Sequence, residues 1–536
     1  MVAVETPSDS FRKLFTHPLL QGCVLVVVAL VIALTLQMPN RFPDPDSFYH
    51  AGMAELAAAG EFPIRFPWLD LTTLRSTYAD LHLLYHIILV PFVALFGAMP
   101  GIRIATIAGA ILAPLAFFML LRRLRIRGAL AFTLLLLGSA SFAFRLNLAK
   151  AQAFAFIVLF LGIIALVRRS RTGVFLAAVF AAWMSAHWPV YLAAVVVFAF
   201  HHVFATVLSK PRASRALFVA AREAFGIVMS AFAGIAAGFI VNPYFPGNIT
   251  VAWQQIVEIA LIGGSATVNV GIEWHRLTTS EFVRSVGFLL PLLALAVVGA
   301  IVRTVRCIQR ETTDDRDALA QTYTFGTLAL AFAILAFRQQ RQLEFFIPFA
   351  VLACASGLQP FVDWWWPPRV ITGWRQPGMI RRPLATFMLI VVIVGFGVGA
   401  WNAMQPQRAY FRNGFSGDRF SGVTAWLRAN VPANAVVFHG DWDDFPFLFL
   451  HDRTHRYLVG LDPRFAVLAN VERYERWAMV SRGETSNAAA VIRREFGAEY
   501  AVVARGQEAL AEVLARDPSV RLVYEDGDGK VFALAQ

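Results

Sequence analysis

Long runs of apolar residues, separated by short polar segments, dominate the chain up to about residue 404. A membrane-spanning helix needs about 20 apolar residues, because the hydrocarbon core of a bilayer is about 30 Å thick. Runs that approach this length lie at 19–38, 102–121, 128–144, 152–168, 173–187, 188–208, 224–241, 286–303, 322–337, 343–358 and 383–403. The pattern predicts an all-α polytopic membrane domain of about 11 transmembrane helices over residues 1–404.

One further apolar run, from Leu81 to Phe96, is interrupted by polar residues and by a proline. Basic clusters tend to lie on the cytoplasmic side of a membrane. Five clusters lie between the apolar runs, at Arg122–Arg127, Arg168–Arg171, Lys210–Arg222, Arg303–Arg310 and Arg369–Arg382. If all five are cytoplasmic, the spans alternate consistently only when 81–96 does not cross. We therefore predict that this run is a half-buried helix on the outer surface.

This topology places five segments outside the cytoplasm: the loops 39–101 and 242–285, the short segments Arg145–Gln152 and Arg338–Gln342, and everything from Met404. The last of these mixes a helical pattern at Val423–Asn430 with strand-like runs. These runs are Ala435–Phe438, Arg456–Val459, Tyr500–Val503 and Val520–Tyr524. Such alternation favours a small soluble α/β domain, which we place at residues 405–536.

The composition agrees with a membrane location. Only 15% of the residues are charged, against about 25% in soluble domains. The net charge of +12 is concentrated in the clusters between spans, which indicates membrane topology and not nucleic-acid binding. The three cysteines are far apart and indicate neither a metal site nor a disulfide framework. We predict an integral protein of a bacterial-type inner or plasma membrane, with its first span retained rather than cleaved.

Carboxylates follow the first predicted span closely. Asp44 and Asp46 are one residue apart in a proline-rich stretch, so their side chains point the same way if it is extended. Such a pair can bind a hard divalent cation or act as a base. The alternative is that Asp46 only caps a helix that begins at Ser47.

Two other outer segments carry candidate groups. Glu273 lies among apolar and aromatic residues of the loop 242–285 and can complete an acidic site with Asp46, or can simply pair with Arg276. Arg338 and Arg341 break the positive-inside pattern. Arginine grips phosphate bidentately, so they suit a lipid-linked phosphate, with anchoring to lipid headgroups as the alternative.

These motifs, in their order, resemble a known family. Asp46-Ser-Phe-Tyr-His50, Val270-Gly-Ile-Glu273 with the later Thr278-Thr279, Ser185-Ala-His-Trp-Pro-Val-Tyr191 and Arg341 are similar to motifs of the catalytic subunit of oligosaccharyltransferase, a member of the GT-C class of membrane glycosyltransferases. The resemblance covers essentially the whole chain. It implies a GT-C-like membrane domain followed by a soluble domain outside the cytoplasm.

The resemblance also implies roles for individual residues. Asp46, helped by Asp44 and Glu273, positions a divalent cation (Mg²⁺ or Mn²⁺, held by Asp46 and Glu273) and activates the acceptor. Arg341, Arg338 and Lys150 are expected to bind the donor phosphate. The residues expected to contact the sugar or the acceptor are His50, His275, Trp442 and Asp443.

Two departures from the family pattern matter. The second acidic motif should lie in Arg145–Gln152, where no carboxylate is present and Lys150 stands instead. A cation there can partly replace the charge of the metal, which puts metal dependence in doubt. The sequon-reading WWDYG motif corresponds to Gly440-Asp-Trp-Asp-Asp-Phe-Pro446, in which one Trp and the following Asp survive. These aspartates bind an acceptor or form a solvated turn.

The predicted function is transfer of a glycan from a polyprenyl-phosphate or polyprenyl-diphosphate donor to an acceptor protein or glycolipid on the outer face of the membrane. One alternative within the class is a true oligosaccharyltransferase that acts on Asn of protein sequons. An alternative from another class is a non-enzymatic lipid-glycan transporter or assembly scaffold, which predicts polar residues along a path through the spans, with His187 and His201–His202 as candidates.

Overall fold

The computed structural model describes residues 17–210, 214–262, 268, 271–365, 397 and 399–534. Within them, seven helices are long and apolar enough to cross a membrane, or eight if a bent pair counts as one span. The seven are Pro18–Gln37, Ala98–Arg123, Trp188–Ser209, Ser214–Val241, Thr279–Arg310, Thr313–Ala336 and Gln340–Trp364. The chain is therefore an integral membrane protein with a mostly helical fold, as predicted.

Shorter helices account for most of the other predicted spans. Apolar helices of this kind are Gln152–Val167 and Arg171–Met184. A third short apolar helix, Leu83–Phe96, corresponds to the run that we predicted not to cross. The long loops carry the helices Asp46–Ala58 and Gly247–Trp253 and a π-helical turn at Gln254–Ile262. Two of the spans are made of consecutive helices: Thr279–Val286 and Leu290–Arg310 in one, Leu343–Gly357 and Gln359–Trp365 in the other. The predicted run 383–403 lies largely outside the described residues, as does the basic cluster Arg369–Arg382.

The bent pair consists of Ala129–Leu137 and Ala140–Leu146, which meet at an angle of 79°. Gly138 and Ser139 form the break, and Ser139 has an extended backbone that ends the first helix. Beyond the second helix, the Gln37 side-chain amide donates a hydrogen bond of 2.8 Å to the carbonyl oxygen of Asn147. The break therefore turns the segment that contains Arg145 and Lys150 across the end of the bundle.

The helix Leu343–Gly357 is buried along its whole length and follows Arg341 directly. It packs closely on the helix Leu290–Arg310, where a Cβ atom on Gly299 would overlap the carbonyl oxygen of Gly357. A Cβ on Gly357 would in turn come within 2.7 Å of the carbonyl oxygen of Ala296. The two glycines thus fix how deeply this helix, and the segment before it, sits in the bundle.

The C-terminal part contains a four-stranded sheet of order β1-β2-β4-β3. Its strands are β1 (Val436–His439), β2 (Ala498–Ala504), β3 (Val520–Glu525) and β4 (Gly529–Leu534). β1 and β2 are parallel, and the other two pairs are antiparallel. The helices that accompany the sheet are Ser421–Asn430, Phe445–His451, Arg464–Ala469, Val471–Ser481, Ala488–Phe496 and Glu508–Arg516.

Three of the four predicted strand-like runs are confirmed as β1, β2 and β3. The prediction for Arg456–Val459 is wrong, because this segment makes only isolated bridges and joins no ladder. Instead, the buried His439 holds it: the His439 Nε2 atom accepts hydrogen bonds from the amides of Leu458 and Val459, at 3.2 and 3.4 Å. The sequence analysis missed β4.

The C-terminal part packs directly on the first long loop. Phe447 lies edge-on against Phe48, with ring centroids 4.5 Å apart, and both side chains are fully buried. The Arg453 guanidinium donates to the Glu55 carboxylate at 2.5 Å. One apolar core therefore contains residues from both regions. This core lies next to the candidate site described below.

Candidate active site

Asp44 and Asp46 share one cation. The Lys150 Nζ atom lies 2.7 Å from a carboxylate oxygen of Asp44 and 2.8 Å from one of Asp46. Both carboxylates thus point toward Lys150, although the stretch is not extended as expected, because Pro45 between them has a helical backbone (φ −58°, ψ −35°). Burial opposes the charge on Lys150, but Asp44 and Asp46 outweigh it and raise the pKa of the ammonium group.

Asp46 does not cap the helix that it begins. The helix Asp46–Ala58 has Pro45 at its N-cap, with no side-chain capping hydrogen bond, and the Asp44 carboxylate accepts from the Asp46 amide at 3.0 Å. The Asp46 side chain keeps 33% of its surface exposed. Burial raises its pKa to about 6 against the attraction of Lys150. This carboxylate can therefore exchange a proton near neutral pH.

Glu273 is held by arginines from two other segments. Arg145 donates to it at 2.7 Å, and a guanidinium nitrogen of Arg341 lies 3.9 Å from its second carboxylate oxygen. Burial opposes ionisation of Glu273, but Arg145, Lys150 and Arg341 outweigh it and lower the pKa. Arg276, the partner considered in the sequence analysis, is exposed. The Arg145 Nε atom also lies 3.6 Å from the buried Glu344.

Arg341 and Arg338 have different surroundings. Arg341 donates to the ring of His187 at 2.9 Å and lies over the Trp274 ring, with 4.5 Å between its guanidinium carbon and the ring centroid. Arg338 is exposed and donates to the backbone carbonyl of Leu261. Of the three predicted phosphate ligands, the structure therefore brings Arg341 and Lys150 into the charged cluster and leaves Arg338 outside it.

Trp274 also joins this cluster to the C-terminal part. The Arg464 guanidinium lies 3.8 Å from the Trp274 ring centroid, and Asp462 fixes that guanidinium with two hydrogen bonds of 2.9 and 2.6 Å. His275, the next residue, is exposed, and its backbone carbonyl accepts from the Gln340 amide. The side chain of His275, which was predicted to contact the substrate, therefore lies outside the charged cluster.

His50 belongs to a buried hydrogen-bonded chain. The His86 Nδ1 atom lies 2.6 Å from the Asp80 carboxylate, and the His86 Nε2 atom lies 2.8 Å from the His50 Nδ1 atom. With Asp80 ionised, His86 donates to it and accepts from His50, which leaves the His50 Nε2 atom without a proton; burial lowers the pKa of His50, so this ring stays neutral. Burial opposes the charge on Asp80, but His86 and His82 lower its pKa.

The aspartates after β1 are partly enclosed and do not form a solvated turn. Asp444 is buried and accepts from Gln507 at 2.8 Å. Burial, together with the neighbouring carboxylates Asp441, Asp46 and Asp44, raises the pKa of Asp443 to about 8. Trp442 is half-buried and packs on the apolar core of the C-terminal part. Asp443 thus lies close enough to the first-loop carboxylates to be affected by their charge, while Trp442 packs inward.

The predicted metal ligands, Asp46 and Glu273, are divided between different cations. Lys150 occupies the space between Asp44 and Asp46, and the arginines engage Glu273. Among the residues that the structure describes, no three His, Cys, Asp or Glu side chains converge as a metal ion requires. The residues present do not fit a divalent cation.

Each of the histidines that a transport path would use has a polar neighbour close by. The His201 Nε2 atom lies 3.0 Å from the Thr327 hydroxyl. His202 lies 3.3 Å from Glu223, which also pairs with Arg169. His187 belongs to the charged cluster through Arg341.

Sequence reasoning missed several members of the cluster, namely Arg145, Glu344, Asp80, His86 and Arg464. Asp80, His82 and His86 did leave a signal, because polar residues interrupt an otherwise apolar run. Arg145 and Glu344 left none of comparable strength, since each lies at the end of a helix where polar residues are common.

No family model matches this sequence, and no curated protein matches it. Comparison of the fold is informative. The apo oligosaccharyltransferase of Archaeoglobus fulgidus superposes with a TM-score of 0.60 at 14% identity, over 96% of this chain and 74% of that one. Its complex with zinc and sulfate gives 0.57 at 13% identity, over 96% and 73%.

Two other solved structures are similar. The mycobacterial arabinofuranosyltransferase AftD gives a TM-score of 0.54 at 14% identity, over 96% of this chain and 40% of that one. ArnT from Cupriavidus metallidurans, bound to undecaprenyl phosphate, gives 0.51 at 15% identity, over 96% and 98%. All three proteins are GT-C membrane glycosyltransferases. The chain therefore has the GT-C fold that its motifs predicted.

Proposed function

We propose that this chain is a glycosyltransferase that moves a glycan from a polyprenyl-phosphate or polyprenyl-diphosphate donor to an acceptor on the outer face of the membrane. One observation carries the proposal. A pair of carboxylates, Asp44 and Asp46, lies in the same charged cluster as three cations, Lys150, Arg145 and Arg341. Glycosyl transfer from a phosphate donor needs both kinds of group, a base for the acceptor and positive charge for the leaving phosphate.

The donor site is assigned to Arg341 and the cavity beside it. His187, which accepts from Arg341, lines a small, mostly apolar pocket between the helices, which is partly open to its surroundings. Other lining residues are Ala155, Phe156, Leu159, Met184, Trp188 and Phe345. A polyprenyl chain can pack against these apolar side chains, with its phosphate at the Arg341 guanidinium. The similar fold of ArnT bound to undecaprenyl phosphate supports this assignment.

Asp46 is assigned as the base. The acceptor nucleophile attacks the anomeric carbon of the donor sugar and forms the new glycosidic bond. Its proton passes to the Asp46 carboxylate. The bond between the anomeric carbon and the phosphate oxygen breaks, and the phosphate leaves with the electron pair, stabilised by Arg341 and Lys150.

The acceptor approaches between the first loop and the C-terminal part. Asp443 lies close to Asp44 and Asp46 there, and its raised pKa keeps it protonated at neutral pH, so that it can donate a hydrogen bond. Acceptor protein and acceptor glycolipid are both compatible with this geometry. The proposed orientation places the loops 39–101 and 242–285 and residues 405–536 outside the cytoplasm.

The test is transfer from a short-chain polyprenyl-linked sugar to membrane acceptors by the purified protein. We expect Asp46→Asn to lower the rate by about 10²–10⁴-fold, the usual contribution of a general base. Asp314→Asn is the matched control, because Asp314 is 87% exposed at the far end of the bundle. Equal rates for Asp46→Asn and wild type would contradict the proposal, and the labelled product identifies the acceptor as protein or lipid.

A further inference from the structure

The position of Lys150 sets this site apart from a metal centre. Its ammonium group bridges Asp44 and Asp46 at 2.7 and 2.8 Å, and its side chain is only 9% exposed. Lys150 follows the 79° break, in the short segment before the helix Gln152–Val167. A buried lysine between two carboxylates leaves its place only at a large cost in free energy, because it would leave two like charges unpaired.

A divalent cation needs what these residues do not offer. Mg²⁺ takes six oxygen ligands at about 2.0–2.1 Å in an octahedron. The space between the two nearest carboxylates already holds the lysine nitrogen. The third carboxylate, Glu273, accepts from Arg145 at 2.7 Å. A metal ion would therefore have to break the Lys150 bridge and the Arg145 pair together.

We infer that the Lys150 ammonium group takes the place of a divalent cation, so that this chain works without a metal. The ammonium group orients Asp46 toward the acceptor, and its charge, with that of Arg341, faces the leaving phosphate. The part of the inference that concerns the reaction rests on the proposed function. The part that concerns metal binding rests only on the contacts of Lys150.

The first experiment measures binding, independently of activity. The full-length purified protein is titrated with Mn²⁺, and free Mn²⁺ is followed by electron paramagnetic resonance. We expect no binding by wild type that depends on Asp46. We expect Lys150→Ala to gain a Mn²⁺ site, and Asp44→Asn in that background to remove it. Lys150→Arg should gain none, because it keeps a cation between the carboxylates.

Two results of this titration would overturn the inference. The first is Mn²⁺ binding by wild type that Asp46→Asn abolishes. The second is a folded Lys150→Ala protein that gains no Mn²⁺ site, which would show that the lysine does not occupy a cation position. Lys530→Met, which removes a surface lysine paired with Glu525, controls for the loss of a positive charge. Should Lys150→Ala fail to fold, the wild-type titration still decides.

The second experiment measures transfer after removal of metal with EDTA. We expect wild type to keep its rate within about twofold, and added Mn²⁺ to restore nothing further. Loss of transfer in EDTA with recovery on Mn²⁺ would overturn the inference. A wild type that transfers nothing under any condition would count against the proposed function alone, since the titration judges the metal site separately.

Discussion

At the scale of single residues, Asp46 sets the expected pH dependence. Its pKa is raised by burial to about 6, and only the ionised carboxylate accepts a proton. We expect kcat/KM to fall about tenfold per pH unit below pH 6 and to be independent of this group above pH 7. A pH–rate profile checks this. A rate that stays level down to pH 5, with the protein still folded, would exclude Asp46 as the base.

Arg341 and Arg338 offer a matched pair. Arg341 holds His187, lies near Glu273 and stacks on Trp274, contacts that need the planar guanidinium group. We expect Arg341→Lys to raise the KM for the donor roughly 10–100-fold, as for the loss of a hydrogen bond to a charged group. Arg338→Lys should change it less than twofold, because Arg338 is exposed. Equal effects would remove the distinction between these two arginines.

Contacts between residues close in sequence were easier to predict than contacts between distant residues. Asp44 and Asp46 are neighbours in sequence, so their closeness was predictable, but Pro45 between them has a helical backbone instead of the expected extended one. Their pairing with Lys150, more than 100 residues later, depends on a bend in a helix. For the same reason, the sequence suggested Arg276 as the partner of Glu273, whereas the structure pairs Glu273 with Arg145.

At the scale of elements, the close contact between Gly299 and Gly357 positions the segment that carries Arg341. We expect Gly299→Ala to lower the free energy of unfolding by about 1–3 kcal/mol, the usual cost of overpacking. Gly326→Ala is the control, because a Cβ at Gly326 meets nothing within 4 Å; it should be neutral or stabilising by up to about 1 kcal/mol. Thermal unfolding in detergent measures both. A Gly299→Ala protein as stable as wild type would show that the helices can separate freely.

Apolar length predicted most of the helices because burial in lipid depends on composition more than on partners. The break at Gly138 was not predicted, because the run 128–144 has the length of a single span; its Gly138-Ser139 pair is a local signal for a kink. β4 was not predicted. It begins directly after the short turn that follows β3, so the two strands form a hairpin. Arg456–Val459 has the composition of a strand, but its contact with β1 ends after Arg456, and the amides of Leu458 and Val459 bond to the His439 ring instead.

At the scale of the whole molecule, Phe447 joins the C-terminal part to the first loop. We expect Phe447→Ala to destabilise this junction by about 3–5 kcal/mol and to speed hydrogen exchange in the helix Asp46–Ala58. Phe496→Ala, which empties a similar volume inside the C-terminal part alone, should leave exchange in that helix unchanged. Equal protection of the helix in both variants would contradict the junction.

The same junction has a consequence for biosynthesis. Glu55 and Arg453 are 398 residues apart in sequence. At about 5–20 residues per second, the ribosome takes roughly 20–80 s to make the chain between them. Throughout that time the first loop lacks the aromatic side chains that will cover it. Newly made protein must therefore pass through a stage in which Phe48 and its neighbours are exposed, and this stage is where a chaperone would act.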